Sequence, residues 1–208
     1  MYAGTRRTLE HRDSRVVPLT LDVTDPGQIE RAAEAVDSLD VLINKAGIAL
    51  YDDLSDRSVL ERHLSVNLFG TYAVTQAFLP LLTRSGGAVV NNTSMMAMAP
   101  LPITPAYAVS KAAVFNLTQS LRALLAGRCV RVHAVLTGPT DTDMTRGFEI
   151  PKATPASVAR AIFDGAENEE EDIFPDAMSQ VLADSWRNGV AKSLEHEYAA
   201  LVQAPSAA

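Results

Sequence analysis

Cysteine is nearly absent. Cys129 stands alone in 208 residues, which excludes an intrachain disulfide and leaves no cysteine-based metal site in view. Long apolar runs are missing as well. The N-terminal "MYAGTRRTLEHRD" is polar and charged where a secretory leader would carry an apolar core, and no stretch reaches the length of a membrane span. Positive charge is in deficit: 18 Lys and Arg stand against 25 Asp and Glu, a formal net charge of -7, which argues against a nucleic-acid-binding surface. Repeats and low-complexity linkers are also lacking. These absences lead to the expectation of a cytoplasmic chain with a small-molecule partner and neither nucleic acid nor membrane among its ligands.

With 47% hydrophobic and 21% charged residues, the composition is that of a globular protein, and the length suits one domain over 1–208 with a full core. Strand-like and helix-like periods alternate along the chain. "RVVPLTLDV" (15–23), "DVLIN" (40–44), "AVVNNTS" (88–94), "VRVHAVL" (130–136) and the short "DIFPD" read as strands. Between them, "GQIERAAEAVDSL" places Ile29, Ala32, Ala33 and Val36 on one helical face, a long helical region runs from Arg57 to about Thr83, and another opens at Pro105 and runs to Leu125. "TPASVARAIFDGAENEE" opens on a Thr-Pro helix start. The acidic "ENEEED" (167–172) reads as a solvated turn, and the tail from Pro175 as surface helix with Trp186, Val190 and Leu194 as its packing stripe. This order predicts an α/β fold, a doubly wound parallel sheet covered on both faces.

In such sheets, ligands bind at the carboxyl ends of the strands. Asp22, Asn44 and Gly47, Ser94, and then Gly138, Pro139 and Thr142 all fall there. Each has a plain structural use by itself, as a turn cap or a flexible link, but their clustering at one sheet edge points to a site. "TPAYAVSKAA" adds chemistry. Tyr107 precedes Lys111 by one helical turn, so both side chains share a face. A neighbouring ammonium favours phenolate over phenol, and a tyrosine tuned that way serves as a general acid or base.

In order along the chain, "LDVTD", "INKAG", "HLSVNLFGTY", "VVNNTSMMA", "YAVSK" and "LTGPTDTDM" resemble the motifs of the short-chain dehydrogenase/reductases, from about residue 2 to 175. The resemblance implies a three-layer, Rossmann-like sheet and a nicotinamide dinucleotide. It makes Tyr107 the proton donor to a substrate carbonyl. Lys111 lowers its pKa and holds the nicotinamide ribose, and Ser94 bonds the carbonyl oxygen. Asn67, through its side chain or its backbone, holds a water that relays protons through Lys111. On the cofactor side it implies Asp22 and Val23 at the adenine, Asn44, Ala46 and Gly47 along the adenosine, and Thr140 and Thr142 at the nicotinamide carboxamide. Arg6 falls where NADP-users place a cation for the 2′-phosphate, so NADP(H) is expected ahead of NAD(H).

Several positions depart from the family pattern. Lys45 replaces an Asn that braces the central strands, and Thr137 replaces a Pro. No glycine-rich phosphate loop precedes "YAGTRR", and the family's first strand, first helix and most of its second strand have no counterpart in the 208 residues. The expectation is therefore an N-terminally incomplete, bacterial NADP-type member, in which "DVLIN" loses ladder partners on one side. Its leading function is interconversion of a carbonyl and an alcohol with NADP(H). The alternative is an inactive remnant serving as a structural or partner-binding subunit. A hydrolase built on Ser94 is weaker, since no Gly-x-Ser-x-Gly elbow surrounds that serine and His133 lies within a strand. Met95, Met96 and Met98, with the short lid "RGFEIPK", are candidates to line the substrate pocket. The long helices from Arg57 and Pro105 lead to the expectation of a homodimer or homotetramer.

Overall fold

The computed structural model describes residues 1–7 and 10–203. Positions 8, 9 and 204–208, which the expected domain 1–208 takes in, lie outside the described residues. Six strands alternate with helices: β1 (Tyr2–Thr5), β2 (Val17–Thr20), α1 (Pro26–Glu34), β3 (Val41–Asn44), α2 (Arg57–His63), α3 (Thr71–Ser85), β4 (Ala88–Asn92), α4 (Pro105–Leu125), β5 (Arg131–Val135), α5 (Pro155–Glu167), β6 (Asp172–Ile173), α6 (Ala177–Arg187) and α7 (Val190–Gln203). Every strand pairing is parallel.

Helix ends follow local chemistry. Asp25 caps α1 by accepting from the Gln28 N–H, with Pro26 in the first turn. Thr154 does the same for α5 through Ser157, ahead of Pro155. Gly86, at φ +65°, ends α3 in the left-handed conformation that a side chain resists. The expected single helix from Arg57 is interrupted: residues Leu64–Gly70 between α2 and α3 form a π-helical stretch, with the buried Asn67 at its middle. Such wide turns recur at functional sites.

The period of two in the strands sorts side chains to the two faces. Val89 and Val132 pack with Leu79 and Leu82 of α3 and with Leu121 and Leu125 of α4. Val90, Val135 and Ile173 turn the other way and meet Ile162 and Ala166 of α5. A polar seam crosses the first face. Asn44 donates to Thr75 Oγ1 (2.9 Å) and to Asn91 Oδ1 (2.9 Å), and Asn91 donates to Thr118 Oγ1 (3.0 Å). These amides and hydroxyls satisfy one another, so their burial carries no orphaned donor.

The sheet is in two blocks, β2-β1 and β3-β4-β5-β6. The expected loss of ladder partners by "DVLIN" is seen: among the described residues β3 pairs only with β4. Between the blocks runs a groove of about 540 Å³, with Tyr2 and Gly4 on one side, Val41 and Ile43 on the other, and Val74 and Phe78 among its lining residues. Val41 and Ile43 are exposed there, whereas Leu42 packs against the α1–α3 core.

Two readings of the tail are corrected. The acidic run does not end as a solvated turn. Asp172 is buried and accepts from Arg122 Nη2 (2.8 Å), Trp186 Nε1 (2.7 Å) and Lys192 Nζ (2.6 Å), and Glu195 completes the cluster with Arg122 and Lys192. A buried carboxylate persists only with such partners, and α4, α6 and α7 supply them. The expected stripe also breaks. Trp186 packs on Phe115 with ring centroids 5.3 Å apart, but Val190 and Leu194 are exposed, because α7 docks through its charges rather than an apolar seam.

Candidate active site

Three loops meet at the carboxyl edge of β3, β4 and β5, and the first turns of α4 rise beside them. Tyr107 lies in the first turn of α4 and Lys111 one turn on. Burial pushes the Tyr107 phenol above its ordinary value, while the Ser94 hydroxyl beside it pulls the other way. Lys111 is buried too; desolvation lowers its ammonium from 10.5 to about 8. Its Nζ stands 5.7 Å from the Tyr107 ring centroid and donates to Asn92 O at 2.7 Å. The expectation that Lys111 depresses the phenol is therefore corrected. In this structure desolvation dominates both groups, and the phenol is held in its protonated, donating form. Ser94 follows β4, and its Oγ also accepts from Met96 N–H (3.1 Å), which aims the hydroxyl at the site.

The Asn67 amide is engaged within the protein, so of the two routes expected for holding a water its side chain is already bonded. Oδ1 accepts from Ile48 N–H (2.8 Å), and Nδ2 donates to Ile48 O (3.0 Å) and Ser110 Oγ (2.8 Å), while its carbonyl accepts from Thr71 Oγ1. The side chain thus braces the loop after β3 against α4. Ser110 in turn donates to Tyr107 O (2.7 Å).

Two bracing residues escaped the sequence reading. His63, fully buried, accepts at Nε2 from Leu50 N–H (3.1 Å), bonds Val59 O through Nδ1 (2.8 Å), and meets the Tyr107 ring edge-on at 6.4 Å between centroids. Asp52 accepts from Ala106 N–H (3.3 Å) and so caps α4, where Thr104 makes no side-chain cap bond. His63 stands four residues before Asn67, on the same helical face, which was the one available signal. Asp52 carried none, since its partner is 54 residues away.

The cofactor positions fall into two groups. Gly47 lies directly against Asn67 and Lys111: a Cβ there would stand 3.3 Å from Asn67 Oδ1 and 3.6 Å from Lys111 Nζ. A side chain would crowd the Asn67 amide by a few tenths of an ångström, and the Lys111 ammonium carries N–H groups suited to ribose hydroxyls. Thr140 and Thr142 follow β5; Thr140 forms a bridge with Ala153 and Thr142 caps a short turn, both partly or fully exposed. The nicotinamide end of a dinucleotide fits these residues. At the other end, the Thr24 hydroxyl and N–H hold the Asp22 carboxyl below its ordinary value against a small burial cost, and the charge of exposed Arg6 adds to this. Val23 is half-buried beside Gly70, and Ala46 is exposed. The Asn44 amide is spent on Thr75 and Asn91 inside the seam, which leaves its backbone to line a ligand. The pyrophosphate has no cradle among the described residues. Gly4 is turned onto Leu21, where a Cβ would meet Cδ2 at 2.8 Å.

A parallel, doubly wound sheet with a Ser-Tyr-Lys cluster at its carboxyl edge defines a Rossmann-like oxidoreductase scaffold. Comparison with known proteins agrees. The family profile described as short chain dehydrogenase matches residues 3–152, and the chain belongs to that family. It is 35% identical over 156 residues to estradiol 17-beta-dehydrogenase 2 of Mus musculus, covering 71% of this chain and 41% of that one. Over 165 residues it is 33% identical to oxidoreductase UcpA of Escherichia coli K12, covering 73% and 63%. The matched stretch thus spans 41% and 63% of these curated relatives, less than two thirds of each. A crystal structure of a short chain dehydrogenase from Burkholderia cenocepacia J2315, in complex with NADP, is similar with a TM-score of 0.82 at 34% identity, over 94% of this chain and 84% of that one.

Proposed function

We propose that the chain interconverts a carbonyl compound and an alcohol with NADP(H). The observation that carries this is the buried phenol of Tyr107, kept protonated by burial, between the Ser94 hydroxyl and the Lys111 ammonium. The cofactor, when bound, supplies or accepts the hydride. In the reductive direction Ser94 donates a hydrogen bond to the substrate oxygen as negative charge develops. Tyr107 then gives up its proton to that oxygen. Lys111, 5.7 Å from the ring, stabilises the tyrosinate left behind. Asn67, His63 and Asp52 hold the loop and the helix start in register. Arg6 beside Asp22 supports NADP(H) over NAD(H), and the relative bound to NADP is consistent with it.

A second reading, a partner-binding subunit without catalysis, is favoured by the split sheet and by the lack of a pyrophosphate cradle among the described residues. One experiment separates the two: NADPH-dependent reduction of a ketone panel, at high cofactor concentration, by the parent and by Tyr107→Phe. Under the enzymatic reading the variant keeps cofactor affinity and loses turnover by roughly 10²–10⁴-fold. A variant within a few-fold of the parent refutes the role of Tyr107, and a parent that neither binds NADPH nor turns over supports the subunit reading.

A further inference from the structure

The loops around the site carry a chemistry of their own. The loop after β3 is tied to the loop after β4 by the Asp52 N–H to Ile103 O bond (3.3 Å), and to the start of α4 by the Asp52 carboxylate. It meets the loop after β5 through the rings of Tyr51 and Phe148, 6.2 Å between centroids and tilted by 37°. Three separate strand ends therefore join in one rim beside Tyr107. Apolar side chains crowd it. Tyr51 is 69% exposed, and Leu101, Ile103, Met144 and Ile150 are exposed on the same three loops. Single exposed apolar residues are ordinary on a protein surface; a set gathered on loops that touch one another marks a binding surface.

Charge on the rim is predominantly acidic. Asp52, Asp53, Asp56, Asp141, Asp143 and Glu149 lie on these loops, against Lys45, Arg146 and Lys152, and Lys45 stands at the far end of its loop, next to β3. Arg146 is already paired with Asp143, and Lys152 is half-buried. The Ser55 hydroxyl and N–H bind the Asp53 carboxylate and hold it below its ordinary value, so it stays ionised at neutral pH. Recognition of a carboxylate or phosphate calls for a fork of cations, and this rim presents the reverse.

We propose that the mouth of this site takes uncharged, apolar carbonyl compounds and their alcohols, gripped by the Tyr51–Phe148 pair, and rejects substrates that carry a carboxylate. The proposal rests on the oxidoreductase reading for the reaction but not for the binding. The ketone approaches along the apolar rim, its oxygen reaching Ser94 and Tyr107 while its hydrocarbon displaces water from Tyr51 and Phe148. An anionic substrate would cross the field of the rim carboxylates and lose its own hydration without a paired cation.

The test uses two ketones of one shape: acetophenone, and 4-acetylbenzoate, which differs by a carboxylate. Binding to the 208-residue chain is followed by calorimetric titration at low and high salt, and NADPH oxidation is followed separately. Acetophenone is expected to bind at least about tenfold more tightly than 4-acetylbenzoate at low salt, with the gap narrowing as salt screens the rim. In the double variant Tyr51→Ser, Phe148→Ser, acetophenone affinity is expected to fall by about tenfold or more while the far-UV circular dichroism is kept. Equal or tighter binding of the carboxylate, binding of neither ketone, or an unchanged double variant overturns the proposal. Selective binding of acetophenone without NADPH oxidation leaves the proposal standing and counts against the oxidoreductase reading alone.

Discussion

Lys111 is kept at a cost that pH can expose. The ammonium is buried, with a single protein acceptor, Asn92 O at 2.7 Å, and desolvation lowers it from 10.5 to about 8. The gap corresponds to about 3 kcal/mol of preference for the neutral amine in the folded state. Below pH 8 the lysine is charged in both states, so the folded chain bears the whole desolvation cost. Between pH 8 and 10.5 the folded state has released its proton while the unfolded state still holds it, and stability climbs with pH. Above 10.5 both are neutral and the climb stops. Lys111→Met removes this titration while keeping the volume. It also deprives Asn92 O of its donor, which costs about 1–3 kcal/mol at any pH. At pH 7 the variant is thus expected to equal or exceed the parent in stability by up to about 2 kcal/mol. The decisive quantity is the difference between the two urea-unfolding free energies as a function of pH. It should favour the variant most below pH 8 and shift by about 3 kcal/mol toward the parent by pH 10.5. A flat difference profile would refute the reasoning, because it would mean that the ammonium is solvated in the folded chain.

Gly70→Ala tests the packing of the π-helical stretch on the loop after β2. The added methyl would stand 2.6 Å from Val23 Cγ2 and 2.9 Å from its Cβ, so a loss of about 1–3 kcal/mol is expected in urea unfolding, and an unchanged midpoint would show that Val23 moves aside freely. Phe69 and Tyr72, at the end of the π stretch and the start of α3, and Val109 and Leu124 on α4 are exposed apolar groups. We expect them to pair copies of the chain into a dimer or tetramer at micromolar concentration, and a monomer in sedimentation equilibrium would remove that reading.

What the sequence made legible was whatever depends on local pattern. α4 begins at Pro105 and ends at Leu125 as its periodicity says, because a proline in the first turn and an unbroken apolar stripe are both local signals. Ile29, Ala32 and Val36 are buried as a face for the same reason. The grouping of Ser94, Tyr107 and Lys111 was legible because they stand at a strand end and one helical turn apart. What was hidden depends on partners far along the chain. Asp172 looked like part of a solvated acidic run until Arg122, Trp186 and Lys192 closed on it from three other helices. The structural use of the Asn44 amide was hidden too, since it follows from register with Asn91. The direction of the Tyr107 shift was misread because spacing reports proximity of charge and says nothing of burial, which here outweighs it.

The bracing residues explain why the catalytic edge holds together beside a divided sheet. β3 carries one ladder, so the loop that leaves it cannot rely on strand pairing for its position. Side chains do that work instead. Asn67 takes both the N–H and the carbonyl of Ile48, His63 takes the N–H of Leu50, and Asp52 hands the loop on to the first turn of α4. These bonds tie the loop to α2, to the π-helical stretch and to α4, and α4 packs on β4 and β5. The geometry around Tyr107, Ser94 and Lys111 thereby leans on the interior strands of the four-stranded block. Under the proposed function the adenosine side would rest on Asp22, Val23 and Arg6, which flank the two-stranded block. On that proposal proton transfer and adenosine capture are assigned to separately paired halves of the sheet. A change that loosens the β1–β2 pair should weaken dinucleotide affinity well before it disturbs the acid–base cluster.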